Sequence, residues 1–257
     1  MSWEFRRKVM YALATITAVA ALVVFLLRDT LFPAPTCVDK KQNGYEVGVD
    51  CGGVCALRCS SEVSPIHVLF AKALPVGPGV YDLVGMVDNG NINNASVSTK
   101  YVFSLYNSQG QEIPGVRGET VIPLGGKSPI IVQNVRLSQR PYNVLLTLSD
   151  GPHFKVEEIP TSPTIKVLDR HYEQNAVTPR VYATLANTKQ KELRNLPVRI
   201  VLFDDSDNVY AVGQTIVPRL GKEEVQEVIV TWDSNLPKAP TRIGVYPIFN
   251  PFDAIGY

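Results

Sequence analysis

The side chains with the most chemical potential are four cysteines confined to positions 37–59: Cys37, Cys51, Cys55 and Cys59. They are separated by 13, 3 and 3 residues. Thiolate sites for zinc or iron–sulfur clusters usually show paired C-x2-C knuckles, which this spacing lacks. An even number of cysteines in a short polar segment outside the cytoplasm points instead to disulfides, and four cysteines leave three pairings open. Asp39, Asn43, Glu46 and Asp50 lie between and beside them and are weak calcium candidates, although their spacing is not that of an EF-hand. Asp, Asn and Gly at such intervals also make turns and cap one another. The expectation is therefore two cystines, no metal and no cofactor.

The other reactive residues do not assemble into a catalytic set. His67, His153 and His171 are far apart in the chain, with no two at metal-ligand spacing. No Gly-x-Ser-x-Gly, His-Glu-x-x-His or phosphate-binding loop occurs. Gly125-Gly126-Lys127-Ser128 lacks the upstream Gly of a phosphate loop, and Pro129 blocks a helix start, so it reads as a hairpin turn. Asp204, Asp205 and Asp207 form the densest acidic cluster and read as a solvated turn rather than a calcium site. No catalytic residue is assigned, and no enzymatic activity is expected.

The compartment follows from the N-terminus. Val9–Leu27 is free of charge and sits behind Arg6-Arg7-Lys8. A helix of that length rises roughly 28 Å, close to the ~30 Å hydrocarbon core of a bilayer. The run is longer than a cleavable signal peptide's, and no small-x-small site follows it. An uncleaved anchor contacting lipid through residues 9–27 is therefore expected. Basic residues precede the run, whereas Arg28 behind it is offset by Asp29, so the N-terminus is placed in the cytoplasm and the bulk outside. The formal charge of the whole chain is +1 and no basic stripe appears, which excludes a nucleic-acid partner.

Beyond Pro65 the pattern is that of short strands. The 19 prolines and 18 glycines of the chain are spread throughout, as turns between many strands require. Strands are expected at 81–87, 100–106, 120–122, 129–135 and 142–148. A second series is expected at 164–168, 180–186, 198–203, 214–217, 224–232 and 242–246. The two series align: Val87-Asp88-Asn89 with Leu185-Ala186-Asn187, Phe103–Asn107 with Ile200–Asp204, and Val121-Ile122-Pro123 with Ile216-Val217-Pro218. A duplication with a period near 97 is too long for a solenoid and fits one sandwich per copy. The expected organisation is a basic tail (1–8), a transmembrane signal-anchor helix (9–29), a Cys-rich segment (30–62) and two tandem Ig-like β-sandwiches (63–158 and 159–257). The fold class is mainly β, with a linker at 157–163.

Two resemblances rest on these residues. Phe103, Leu105, Tyr106 and Gly110 resemble the signature of the FxLYD-type family of small immunoglobulin-like domains. Asn107 stands there where Asp is usual, and the second copy fits more loosely through Leu202, Phe203 and Asp204. The segment from Cys37 to Cys55 resembles a C-x-D-x3-N-x2-E-x-G-x-D-C-G-G-x-C motif of bacterial surface and secreted proteins, with Lys40 where Gly is common. Together they imply a bacterial extracytoplasmic module without known chemistry. The reading is a single-pass protein of the cytoplasmic membrane with a structural or protein-binding role at the cell envelope and possible envelope protein partners. The alternatives are a subunit of a secretion or pilus-type assembly or, less in keeping with the motifs, an unrecognised envelope enzyme.

Overall fold

The computed structural model describes residues 3–27, 37–92, 94–96, 98–151, 153–155, 165–174, 178–233 and 236–249. The expected linker at 157–163 lies outside the described residues. The chain divides into two compact units, Met1–Cys55 and Ala56–Tyr257.

In the first unit, helix α1 (Trp3–Leu26) has no buried residue. It is long and apolar enough to cross a membrane, as an anchor or a signal would. The helix starts ahead of the uncharged run and takes in the basic cluster, with the Arg7 guanidinium 4.6 Å from the centre of the Trp3 ring. The hydroxyls of Thr15 and Thr17 donate to the carbonyls of Tyr11 and Leu13, at 2.7 and 2.8 Å, so these polar groups need no outside partner.

Among the described residues of the second unit, the regular elements are β-strands apart from a 3-10 turn at Ser60–Glu62. Its first half contains β1 (His67–Gly77), β2 (Val80–Asn89), β3 (Asn94–Ser96), β4 (Thr99–Tyr106), β5 (Glu112–Thr120), β6 (Gly126–Arg136), β7 (Asn143–Asp150) and β8 (His153–Lys155). Its second half contains β9 (Ile165–Glu173), β10 (Arg180–Asn187), β11 (Leu193–Phe203), β12 (Val209–Leu220), β13 (Val225–Thr231) and β14 (Arg242–Pro247).

The duplication is visible in the topology. Sheets β1-β2-β6 and β5-β4-β7 of the first half have direct counterparts in β9-β10-β13 and β12-β11-β14 of the second. Every pairing within them is antiparallel. Among the described residues, the short ribbon β3-β8 alone has no counterpart. Each half is a β-sandwich whose core comes from the inward residues of its two sheets. Leu83, Val87, Phe103, Leu105 and Ile130 fill the first. Val181, Ile200, Leu202 and Val230, together with Leu185, Val198 and Val245, fill the second. With a side-chain period of two, Phe103 and Leu105 take the same inward positions as Ile200 and Leu202, and all four are fully buried.

Some strands depart from expectation. A strand was expected at 120–122, but the strand ends at Thr120 and begins at Glu112, where Pro114, Gly115 and Gly118 conceal it. Strand β1 was not expected at all. The Gly125–Ser128 stretch does not close a hairpin: it carries the chain from β5 in one sheet to β6 in the other. Gly125 and Gly126 supply the left-handed backbone of that crossing, with φ of 64° and 141°.

Candidate functional site

A cystine closes the cysteine segment. Cys37 is bonded to Cys55, and Cys51 and Cys59 are disulfide-bonded as well, leaving no free cysteine. Among the described residues, one grouping has ligand atoms near enough to share an ion, namely Cys37, Glu46 and Cys55. Two of its three atoms are the sulfurs of the cystine, which have no thiolate to offer.

The calcium candidates are occupied in shaping the loop. The Asp50 carboxylate accepts the Lys40 N–H at 2.8 and 3.1 Å, and Asp39 accepts the Lys41 N–H at 2.9 Å and the Asn43 amide at 2.8 Å. Glu46 accepts the Asn43 N–H at 3.2 Å. Gly52 and Gly53 adopt left-handed backbone, with φ of 77° and 56°, and a Cβ on Gly53 would collide with the Tyr45 carbonyl oxygen. The Cys-Gly-Gly sequence is therefore a steric requirement of the loop.

The acidic cluster at 204–207 is likewise a turn. Asp204 Oδ1 accepts the N–H groups of Ser206 and Asn208, at 3.0 and 2.9 Å. Asn107 Oδ1 does the same for Gln109 and Gln111, at 3.0 and 2.9 Å. The left-handed residue follows at the same place in both turns, as Gly110 (φ 75°) and Asp207 (φ 59°). The hydrogen bond from Asn208 is the largest of several that hold the Asp204 carboxyl below its ordinary range. Lys238 reaches Asp204 and Asp205, and Arg242 reaches Asp207.

The aligned asparagines at the strand ends also share one task. Asn187 donates to the carbonyls of Lys191 and Gly221, at 2.7 and 2.8 Å, and accepts the Lys189 N–H. Asn89 donates to the Pro123 carbonyl at 3.0 Å and accepts the Asn91 N–H. Each is buried and ties the end of β2 or β10 to the link between sheets.

The histidines serve no common site. His67 is exposed, His153 is buried on β8, and His171 is exposed and stacked on Tyr182 with ring centres 4.8 Å apart.

The feature not anticipated from sequence is the junction between the sandwiches. The outer face of β1-β2-β6 contributes Leu74, Val84, Met86 and Ile131, and the outer face of β12-β11 contributes Val201, Phe203, Val209 and Val212, in one buried cluster. The mated sheets are not counterparts: the first sandwich uses one kind of sheet and the second uses the other. Arg199 enters at this junction and donates to the Pro129 carbonyl at 2.6 Å and the Thr120 hydroxyl at 2.7 Å, while its Nε has no partner. Burial pulls its pKa down to about 10. At the rim, Lys72 donates to Asn208 Oδ1 at 3.4 Å, and the Arg242 guanidinium lies 3.4 Å from the centre of the Phe203 ring. The available signal was the run Val198-Arg199-Ile200-Val201-Leu202-Phe203, buried at every position, whereas its counterpart β4 alternates.

No family model matches the chain, and no curated protein matches it. Among solved structures, the crystal structure of red sea bream transglutaminase is similar at 11% identity and a TM-score of 0.23, covering 72% of this chain. The chain spans only 29% of that protein, and a likeness of this grade carries no argument about function.

Proposed function

We propose that the protein is a single-pass, membrane-anchored envelope protein whose cystine loop and paired sandwiches are held outside the cytoplasm in a structural or protein-binding role without catalysis. The observation that carries this reading is the unburied 24-residue helix at Trp3–Leu26, free of charge from Val9 onward, with nine residues separating Leu27 from a cystine-bonded segment. A helical run without a polar face, as from Val9 onward, has no stable place exposed to water, and disulfides persist where the surroundings are oxidising. The basic cluster at its start favours a cytoplasmic N-terminus. The paired turns at Asn107 and Asp204 support membership of the FxLYD-type domains, because each copy uses an Asn or Asp and a left-handed residue three positions later for one purpose. That family reading in turn favours a bacterial source.

The test is accessibility on whole cells stripped of any outer envelope. A tag placed at the C-terminus is expected to react with an impermeant reagent while a tag at the N-terminus is protected. Protection of the C-terminal tag would refute the topology. Gentle detergent extraction followed by mass spectrometry then reads the partners: a stoichiometric envelope complex supports a binding role. Turnover of any substrate by the purified protein would refute the absence of catalysis.

A further inference from the structure

The cystine loop turns its apolar side chains outward. Val38, Tyr45, Val47, Val49 and Val54 are each between 51% and 84% exposed. Between Cys37 and Cys55 only Gly52 and Cys55 are buried. The loop takes its order from the cystine and from Asp39, Glu46 and Asp50 bonding to nearby main-chain N–H groups, so none of these five side chains is needed for an interior. Four valines and a tyrosine in so short a segment, all outward, are unusual for a surface that only has to stay dissolved.

The chain itself brings one candidate surface within reach of them. Nine residues separate Leu27 from Cys37. Ten peptide links extend at most about 36 Å, so a loop tied to a membrane-spanning helix is held within that distance of the bilayer. A bilayer's polar layer adds only about 5–8 Å on each side of its hydrocarbon core, well within that reach. Tyr45 combines an apolar ring with a polar tip, as side chains at the membrane–water boundary do. Lys40 and Lys41 are both exposed on the same loop and suit lipid phosphate, while the carboxylates of Asp39, Glu46 and Asp50, which leave the loop with a formal charge of −1, accept main-chain N–H groups of the loop itself.

We propose that the loop 37–55 docks on the surface of the bilayer that holds its own helix, seating Tyr45, Val47, Val49 and Val54 among the headgroups with Lys40 and Lys41 against lipid phosphate. This rests on the reading of α1 as a membrane anchor. The lipid partner is favoured over a second copy or another protein because the anchor keeps the bilayer within reach of the loop at all times.

The experiment uses the full chain in vesicles of phosphatidylcholine and phosphatidylglycerol. The photoreactive residue p-benzoylphenylalanine replaces Tyr45, Leu22 or Ile216, the last being an exposed residue on β12. After irradiation, mass spectrometry is expected to find lipid adducts at 22 and 45 and none at 216. Lipid adducts at 22 without any at 45, or protein adducts in place of lipid at 45, overturn the docking and leave the anchor standing. No lipid adduct at 22 overturns the anchor and the docking together. The combined change Val47→Ser, Val49→Ser and Val54→Ser touches no cysteine, and is expected to lower the lipid adduct yield at 45 by about fivefold or more. An unchanged yield, with disulfide mapping showing the Cys37–Cys55 bond intact, also overturns the proposal.

Discussion

The junction between the sandwiches can be dismantled by giving it residues that the protein itself uses on the equivalent free faces. Val201 is fully buried there, and its counterpart in the first copy is the half-buried Ser104; Met86 is buried there, and its counterpart in the second copy is Thr184. Eight buried apolar side chains make the junction. At about 1.5 kcal/mol each they contribute about 12 kcal/mol, or about 8 after allowing for a compact unfolded chain. Val201→Ser removes burial and leaves a desolvated hydroxyl, about 3 kcal/mol; Met86→Thr costs about the same. The pair of changes therefore cancels most of the junction while sparing both sandwich cores, since Leu83, Val87, Ile200 and Leu202 lie on the opposite faces. The assay takes the chain from Cys37 onward and combines small-angle scattering with denaturant unfolding followed by Trp232. That residue is buried in the second sandwich, its indole N–H donating to the Val212 carbonyl at 2.9 Å. The double variant is expected to enlarge its radius of gyration in native buffer and to unfold in separable steps. Unchanged scattering with a single transition at the wild-type midpoint would refute the assigned role of this cluster.

Three further outcomes are expected. Asn187→Ala strands several main-chain partners in a buried setting and should destabilise the second sandwich by about 2–3 kcal/mol in thermal or denaturant melts, with Asn89→Ala doing the same to the first; a loss below about 0.5 kcal/mol would contradict the tying role. Asp82 is buried on β2 and accepts the Asn134 N–H at 2.8 Å; burial raises its carboxyl above the ordinary 3.8, so its protonated form favours the fold and that benefit is lost as pH rises through the folded value. Asp82→Asn keeps the acceptor and should raise the melting temperature near neutral pH, with the difference vanishing below the ordinary carboxyl range, whereas a gain equal at both pH values would exclude this cause. Gly53→Ala should fail to form the Cys37–Cys55 bond, because its Cβ meets the Tyr45 carbonyl, and peptide mapping without reductant would detect the change.

The repeat was readable because its markers are structural necessities. The Asn at the strand end, the Asx turn and the alternation of Phe103 and Leu105 recur where the fold needs a tie, a reversal and an inward face. The N-terminal helix was readable because its charge-free run from Val9 has both the length and the apolarity that a membrane span requires. Strand β5 was concealed because Pro114 and two glycines carry little β signal, and its pairing with β4 holds it in place. Strand β1 was concealed because the exposed start of His67–Gly77 lacks a clean alternation. The junction was legible in principle, since Val198–Phe203 has no polar face apart from Arg199, but choosing its partner requires knowing which sheets stack. The cysteine pairing could not be read from spacing, because all three pairings close loops of feasible length.

Mating through unlike sides gives the tandem a direction. An association of like with like would have consumed both copies of one surface and closed; here one surface of each kind is left facing outward, and a third module could in principle follow the second. On the second sandwich that outward surface is mixed: Arg180, Thr184 and Glu227 lie on the outer side of β10 and β13 beside the exposed Val225 and Ile229.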